Sequence, residues 1–223
     1  MKRALRHKAL VTIMSCLGLM TAPAFANAQV VAVPVSAFPV SATLLTFNGL
    51  ADGVEVNGLV LGGITFSYSL GNGNVVIDGG PGTTNNVNPQ NVVSIGNPSG
   101  VLTLILPGFF DMFGFGYALL TSGTVLNATT ITAFSGVTTL GTVPFTATGD
   151  PTFSGGFAGI QSVTPFNRVQ FAFSASSPAF AFDNLRLNAA SNVATVPEPS
   201  TNLLIGAGLM AIAGVARRRR KVA

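Results

Sequence analysis

The chain lacks most of the side chains on which active sites and metal centres are built. Of its 223 residues, one is cysteine, one is histidine and none is tryptophan, and charged residues make up only 8%. The cysteine, Cys16, and the histidine, His7, both lie in the first 28 residues. If that segment is removed, the rest of the chain has no disulfide, thiolate nucleophile, Ser-His-Asp triad or zinc site of the usual ligands. Only an oxygen-ligated metal such as calcium is then compatible with the composition.

The few charges are unevenly distributed along the chain. Nine of the 11 lysines and arginines lie within residues 2–8 or 217–221, whereas all seven acidic residues lie between them. Residues 29–198 therefore carry two basic and seven acidic side chains, a net charge of −5. The positive net charge of the whole chain is thus no footprint of nucleic-acid binding, and we expect no nucleic-acid partner.

The first 28 residues have the order of a cleavable secretory signal helix. A basic start is followed by the apolar run 9–20, which is too short for a stable membrane anchor. Residues 24–28, Ala-Phe-Ala-Asn-Ala, then contain two overlapping cleavage patterns of small residues. We predict export through the Sec machinery with cleavage after Ala28; Ala26 ends the other pattern. Lipoprotein processing at Cys16 is a weaker interpretation, because the apolar run continues past the cysteine.

Residues 29–190 are predicted to form one all-β domain. Short runs rich in Val, Ile, Thr and Phe alternate with Gly, Asn and Pro, and no helical period or fixed repeat interrupts them. In the clearest strand Val169, Phe171 and Phe173 point one way. Arg168, Gln170 and Ser174 point the other way and are expected to face water. We predict a jelly-roll-like antiparallel β-sandwich with a phenylalanine core, and a surface loop over the polar residues 78–90.

Residues 191–223 contain a linker and then three features in a fixed order. Pro197-Glu198-Pro199 favours a stiff, extended backbone. The apolar run at about 203–216 would be ~21 Å long as a helix, against a bilayer core of ~30 Å, so it spans only if the bilayer thins and basic side chains snorkel. A basic tail completes the chain and would stop translocation, which predicts a single C-terminal transmembrane helix. The tail consists of Arg217, Arg218, Arg219, Arg220 and Lys221.

This order of motif, apolar run and basic block resembles the PEP-CTERM sorting signal of Gram-negative bacteria, which is also catalogued under an ice-binding-protein C-terminal label. The resemblance covers roughly residues 196–221. It implies export, transient anchoring in the inner membrane and recognition by an exosortase, a membrane cysteine transpeptidase, through Pro197, Glu198 and Pro199. An ordinary C-terminal anchor that is never cut is the alternative.

The second half of the body has a resemblance of its own. Residues 157–162, 166–171 and 180–187 resemble the endings of many exported bacterial β-sandwich domains, which are similar in outline to carbohydrate-binding jelly rolls. Related jelly rolls hold a structural calcium between their first strands and an Asp of the last strand. The resemblance therefore implies a calcium site at Asp183 with Asp52 or Glu55.

Asp183 is expected to have a partner whether or not it binds calcium. It lies between Phe182 and Leu185 in a strand pattern that predicts burial, and a buried carboxylate needs a partner. Calcium is one such partner; main-chain N–H groups of a turn, Arg168 or Arg186 are the others that the sequence leaves open.

The sequence favours a non-catalytic surface or extracellular-matrix protein, anchored in the inner membrane before processing. A carbohydrate-binding module for exopolysaccharide is the alternative, although with no Trp and only Tyr68 and Tyr117 its aromatic platform would be phenylalanine. A cryptic glycoside hydrolase is the third possibility. It would need two carboxyl groups flanking a cleft, and the scattered acidic residues show no such pair.

Overall fold

A computed structural model describes residues 29–149 and 152–191. The predicted signal peptide, with Ala26 and Ala28, and the C-terminal motif, apolar run and basic tail therefore lie outside the described residues. Within the described ranges no helix is long and apolar enough to cross a membrane. The strands all belong to one compact unit, which ends at Ala189.

The described residues form eleven strands and one short 3₁₀ helix, Val35–Ala37. The strands are β1 (Val30–Ala32), β2 (Thr43–Leu45), β3 (Val60–Leu61), β4 (Ile64–Tyr68), β5 (Val75–Asp78), β6 (Asn91–Ser94), β7 (Val101–Leu119), β8 (Val125–Ser135), β9 (Thr138–Gly149), β10 (Ser154–Phe173) and β11 (Phe180–Ala189). All the strand pairs are antiparallel. The all-β prediction with a sandwich-like antiparallel arrangement is thereby confirmed.

The sandwich has two layers, and the longest strands, β7 and β10, run through both layers and join them. We call the layer with the strand order β5-β6-β11-β7-β10 the first half of the sandwich. The layer with the order β4-β7-β10-β8-β9 is the second half. The β7–β10 register shifts between Gln161 and Arg168, close to Pro107, which has no N–H to give to a ladder. Bulges of this kind let a strand turn a corner and enter the second layer.

The core lies between the halves, and phenylalanine is its commonest residue, with nine of the 31 buried residues of the main cluster. Val169, Phe171 and Phe173 on β10 are buried, whereas Arg168 and Gln170, at the alternate positions, face outward. The ring of Phe171 lies at the centre of the aromatic cluster, and several ring pairs meet edge to face, an arrangement that aromatic rings favour. Alternation along one strand therefore predicted the two faces of the sheet correctly.

Candidate functional site

The loop between β5 and β6 covers the outer face of the first half. Val87 in this loop is fully buried. The backbone carbonyl of Asn86 lies against Gly116 of β7, and Asn85 lies against Gly155 of β10, so close that a Cβ atom at either glycine would clash. The two glycines thus let the loop pack on the sheet. The segment predicted as a surface loop is a loop, but one that seals part of the sheet and surrounds a buried carboxylate.

That carboxylate belongs to Asp183 on β11, which is only 1% exposed. Its Oδ2 accepts a hydrogen bond of 3.2 Å from the backbone N–H of Asn88, and its Oδ1 has no hydrogen-bond partner. Burial raises the pKa of Asp183 to about 6, and the nearby backbone N–H groups of Asn184, Asn88 and Phe47 oppose that rise in part. Of the partners that the sequence left open, the structure shows a main-chain N–H group, that of Asn88 in the loop.

Asn91, the first residue of β6, is the neighbour of Asp183 across the sheet. Val92 pairs with Phe182 in the antiparallel β6–β11 ladder, so the residues just beyond that pair, Asn91 and Asp183, are adjacent on the same face. Cross-strand neighbours have Cβ atoms ~5 Å apart. The Asn91 side chain is fully buried. Two polar side chains that the sequence separates by more than 90 residues therefore share one buried position.

Hydrogen bonds determine which way the Asn91 amide points. Its Nδ2 donates to the carbonyl oxygens of Asn88 at 2.9 Å and Gly79 at 3.3 Å. The Oδ1 atom lies close to Gly80 and is buried without a hydrogen-bond partner. Asn91 and Asp183 thus each present an unpaired buried oxygen, a donor type that suits a hard cation or an ordered water.

The other two predicted calcium ligands lie elsewhere. Glu55 pairs with Val76 on the outer edge of β5, and its Oε1 accepts a hydrogen bond of 2.9 Å from the N–H of Gly73. Asp52 is exposed in the same segment. Strands β5 and β6 separate this segment from Asp183, a distance of ~14 Å at the usual strand spacing. The structure does not bring the three acids together, and within residues 29–149 and 152–191 no three His, Cys, Asp or Glu side chains group closely enough to hold a metal.

A groove of about 310 Å³ opens beside the loop on the outer face of the first half. Its floor includes Ala118 and Ala181, its walls include Pro81 and Phe153, and Asp78 is the carboxylate among its lining residues. A second, smaller cavity of about 120 Å³ is lined by apolar side chains and Thr43. The larger groove is therefore mostly apolar, with a single acid at its edge.

The outer face of the second half is polar and carries a continuous row of side chains across five strands. Backbone pairing places Ser67, Thr103, Gln170, Thr132 and Thr142 side by side on β4, β7, β10, β8 and β9. Gln170 donates to the Thr103 hydroxyl at 3.1 Å, and the Thr132 and Thr142 hydroxyls are 2.8 Å apart. We call these five residues the polar row. At ~4.8 Å per strand it is about 19 Å long.

An arginine lies on the same face, next to the polar row. Arg168 is two residues from Gln170 on β10, and its guanidinium carbon lies 4.1 Å from the ring centre of Phe134 on β8, in cation–π contact. On its other side Arg168 pairs with Ile105 of β7, which is 48% exposed. The sequence indicated that Arg168 and Gln170 face outward, but it gave no sign of the neighbours that other strands would place beside them.

Comparison with solved structures finds other β-domains of similar fold at low sequence identity. No curated protein matches the chain. Among solved structures, the K2 cleaved adhesin domain of Lys-gingipain is similar at 12% identity over 66% of this chain and 99% of that chain, with a TM-score of 0.41. The K1 cleaved adhesin domain from Porphyromonas gingivalis W83 is similar at 16% identity over 68% and 99%, with a TM-score of 0.38. A mutant family 29 carbohydrate-binding module is similar at 10% identity over 71% and 99%, with a TM-score of 0.40.

The C-terminal match has a sequence basis independent of the fold. Residues 195–221 match the model of the PEP-CTERM protein-sorting motif, and the match includes Pro197-Glu198-Pro199 and the basic tail 217–221. The resemblance inferred from the order of these features is confirmed. Residues 195–221 of this chain thus belong to the PEP-CTERM protein-sorting motif family.

Proposed function

We propose that this is an exported, exosortase-sorted protein whose β-sandwich is displayed at the cell surface or in an exopolysaccharide matrix. The observation that carries the proposal is the sorting-motif match at residues 195–221. In this proposal residues 1–28 are a signal peptide, residues 29–190 are the displayed domain, and the apolar run 203–216 anchors the chain until an exosortase recognises Pro197-Glu198-Pro199. The basic tail 217–221 holds the anchor's end in the cytoplasm until then.

Mass spectrometry of both ends of the protein, purified from its own cells, tests the sorting proposal. We expect an N-terminus at Gln29 and a C-terminus upstream of Arg217. A variant with alanine at positions 197, 198 and 199 is expected to keep the basic tail and stay in the membrane fraction, because the recognition element is gone. Thr201→Ala, two residues after the Pro197-Glu198-Pro199 element, is the control and is expected to be processed normally. A wild-type protein that still carries Arg217 to Lys221 would contradict exosortase processing.

The geometry of the body supports a binding or display role over catalysis. A glycoside hydrolase uses two carboxyl groups across its cleft, and the larger groove offers the one carboxylate of Asp78. The outer face of the second half instead presents hydroxyl and amide groups in a line, with an arginine beside them. Hydroxyl and amide side chains exchange hydrogen bonds with sugars in both directions. This face favours polysaccharide binding as the more specific form of the proposed role.

A structural calcium ion at Asp183 is a second proposal, with a changed ligand set. The unpaired buried Oδ1 atoms of Asp183 and Asn91 support it, and loop carbonyl oxygens would have to complete the coordination. Asp52 and Glu55 lie too far along the sheet to share the same ion. The ion would tie the loop 79–90 to β6 and β11, so its role would be to stabilise the fold.

Thermal unfolding with calcium and with chelator tests this second proposal. At calcium concentrations 100-fold above the dissociation constant, we expect the midpoint to rise by roughly 5–10 °C, because a ligand that binds only the native state adds about 2.7 kcal/mol. Asp183→Asn should abolish most of that rise, whereas Asp52→Asn should keep it. A wild-type midpoint that is the same in calcium and in chelator would exclude the site.

A further inference from the structure

We propose that the outer face of the second half binds an acidic, carboxylate-bearing polysaccharide, laid across the strands along the polar row and paired with Arg168. This inference rests on the proposed display in a polysaccharide matrix, and it names the polymer class and the residues that hold it. The five residues of the polar row come from five different strands, so the face exists only in the folded domain.

The charge of this face indicates the class of polymer. The residues paired on the outer face of these strands, from Thr65 and Ser67 on β4 to Thr142 on β9, include Arg168 and no carboxylate. The mature body as a whole is acidic, with two arginines against six Asp and Glu in residues 29–190. A polyanion would be repelled by most of this protein and attracted at Arg168, which gives the contact a defined location.

Arg168 is held ready for such a contact. Its guanidinium packs on the ring of Phe134 at 4.1 Å, which limits its motion. A planar guanidinium recognises a carboxylate through two parallel N–H···O bonds, so a preset orientation lowers the entropy cost of binding. Ile105 and Phe134 on either side add apolar surface for the C–H faces of a sugar ring.

The polar row supplies the remaining hydrogen bonds. Its hydroxyl and amide groups are spaced by the strand separation of ~4.8 Å over about 19 Å, long enough to contact several consecutive sugars. The Gln170–Thr103 and Thr132–Thr142 hydrogen bonds hold these side chains in place. Each Thr hydroxyl in these pairs still has a lone pair or a proton to offer to a ligand. Gln170 of the polar row and Arg168 are two residues apart on β10 and lie on the same face, so one polymer chain reaches both.

Affinity electrophoresis in gels containing polygalacturonate, a linear polymer of uronic acid, tests the proposal against gels containing neutral hydroxyethyl cellulose. The protein is purified from its own cells with its ends as processed. We expect retardation by polygalacturonate, weaker retardation by the neutral polymer, and release by added salt, which screens the Arg168 contact. Arg168→Gln is expected to weaken binding on the order of tenfold, as for loss of a charge-assisted hydrogen bond.

Arg186→Gln is the matched control, because it removes the same charge from β11 in the other half and should change affinity less than about twofold. Thr132→Val, which keeps the side-chain shape, should weaken binding about threefold, and it tests the face separately if Arg168→Gln lowers the thermal midpoint. Equal losses in both arginine variants, equal retention by the neutral polymer, or no retention of the wild type would overturn the proposal. The assay measures binding to soluble polymers, so its result does not depend on sorting. A failure of the sorting proposal would be seen separately, as a basic tail retained on the mature protein.

Discussion

Replacing Phe171 by alanine is expected to lower the free energy of unfolding by about 3–5 kcal/mol, the usual cost of removing a buried aromatic ring. Phe171 is 1% exposed, and its ring centre lies 4.5 Å from that of Phe115 and 5.2 Å from that of Phe182. The ring thus contacts both β7 and β11, and the cavity left behind would be surrounded by long strands that cannot easily collapse into it. Since native domains have only about 5–15 kcal/mol of stability, this loss would be a large fraction of the total.

Chemical denaturation with urea, followed by circular dichroism, measures this change. Phe109→Ala is the matched control: Phe109 is 56% exposed on β7, and its removal should change the free energy of unfolding by less than about 0.5 kcal/mol. The thermal midpoint of Phe171→Ala should fall by roughly 10 °C. A loss no larger than that of the control would mean that the two halves do not enclose a shared aromatic core.

The second large effect is a loss of stability as the pH rises from about 4 to above 6. The pKa of the Asp183 carboxyl is raised by burial from 3.8 to about 6. Between these values the folded state holds a proton that the unfolded state has released, so the unfolded state binds fewer protons and stability falls with rising pH. Below pH 3.8 the group makes no difference, and above pH 6 the full penalty of about 3 kcal/mol is present.

Urea unfolding of wild type and Asp183→Asn at pH 4 and pH 7.5, in chelator, isolates this contribution. The asparagine has no charge to bury, so the fall in stability between the two pH values should be about 3 kcal/mol smaller in the variant than in the wild type. Asp52→Asn removes an exposed carboxyl and should keep the wild-type difference. Parallel pH dependences of wild type and Asp183→Asn would show that Asp183 is not buried as a destabilised anion.

Phe171 and Asp183 differ in how much of their surroundings the sequence predicts. The burial of Phe171 follows from alternation along β10, because one face of a half-buried strand must be apolar. The burial of Asp183 was predicted on a different ground, the apolar residues Phe182 and Leu185 that flank it, because alternation alone places Asp183 on the face opposite Phe182. What surrounds Asp183 could not be read from its own segment, because Asn88 and Asn91 reach it from a loop and a strand more than 90 residues earlier. The one local sign of a buried polar neighbour was Asn91, a polar residue at the start of the apolar run Asn91-Val-Val.

The predicted calcium ligands Asp52 and Glu55 illustrate the same limit of the sequence. Asp52 and Glu55 precede the first long strands, and a jelly-roll resemblance favours them as partners of the last strand. In the structure their segment pairs with the outer edge of β5, so two strands intervene. Spacing along a chain does not state the strand order in a sheet, and the strand order determines which loops meet.

By itself the sequence determined the sorting motif at residues 195–221 and the two faces of each clear strand. Residues 195–221 match a linear sorting motif, which is recognisable without tertiary structure. Side-chain alternation is likewise a local property of an extended backbone. Only the tertiary structure decided the register that aligns Ser67, Thr103, Gln170, Thr132 and Thr142 and places Arg168 over Phe134. Register depends on which strands pair and by how many residues they are offset, and a slip of one residue would turn every one of these side chains to the opposite face.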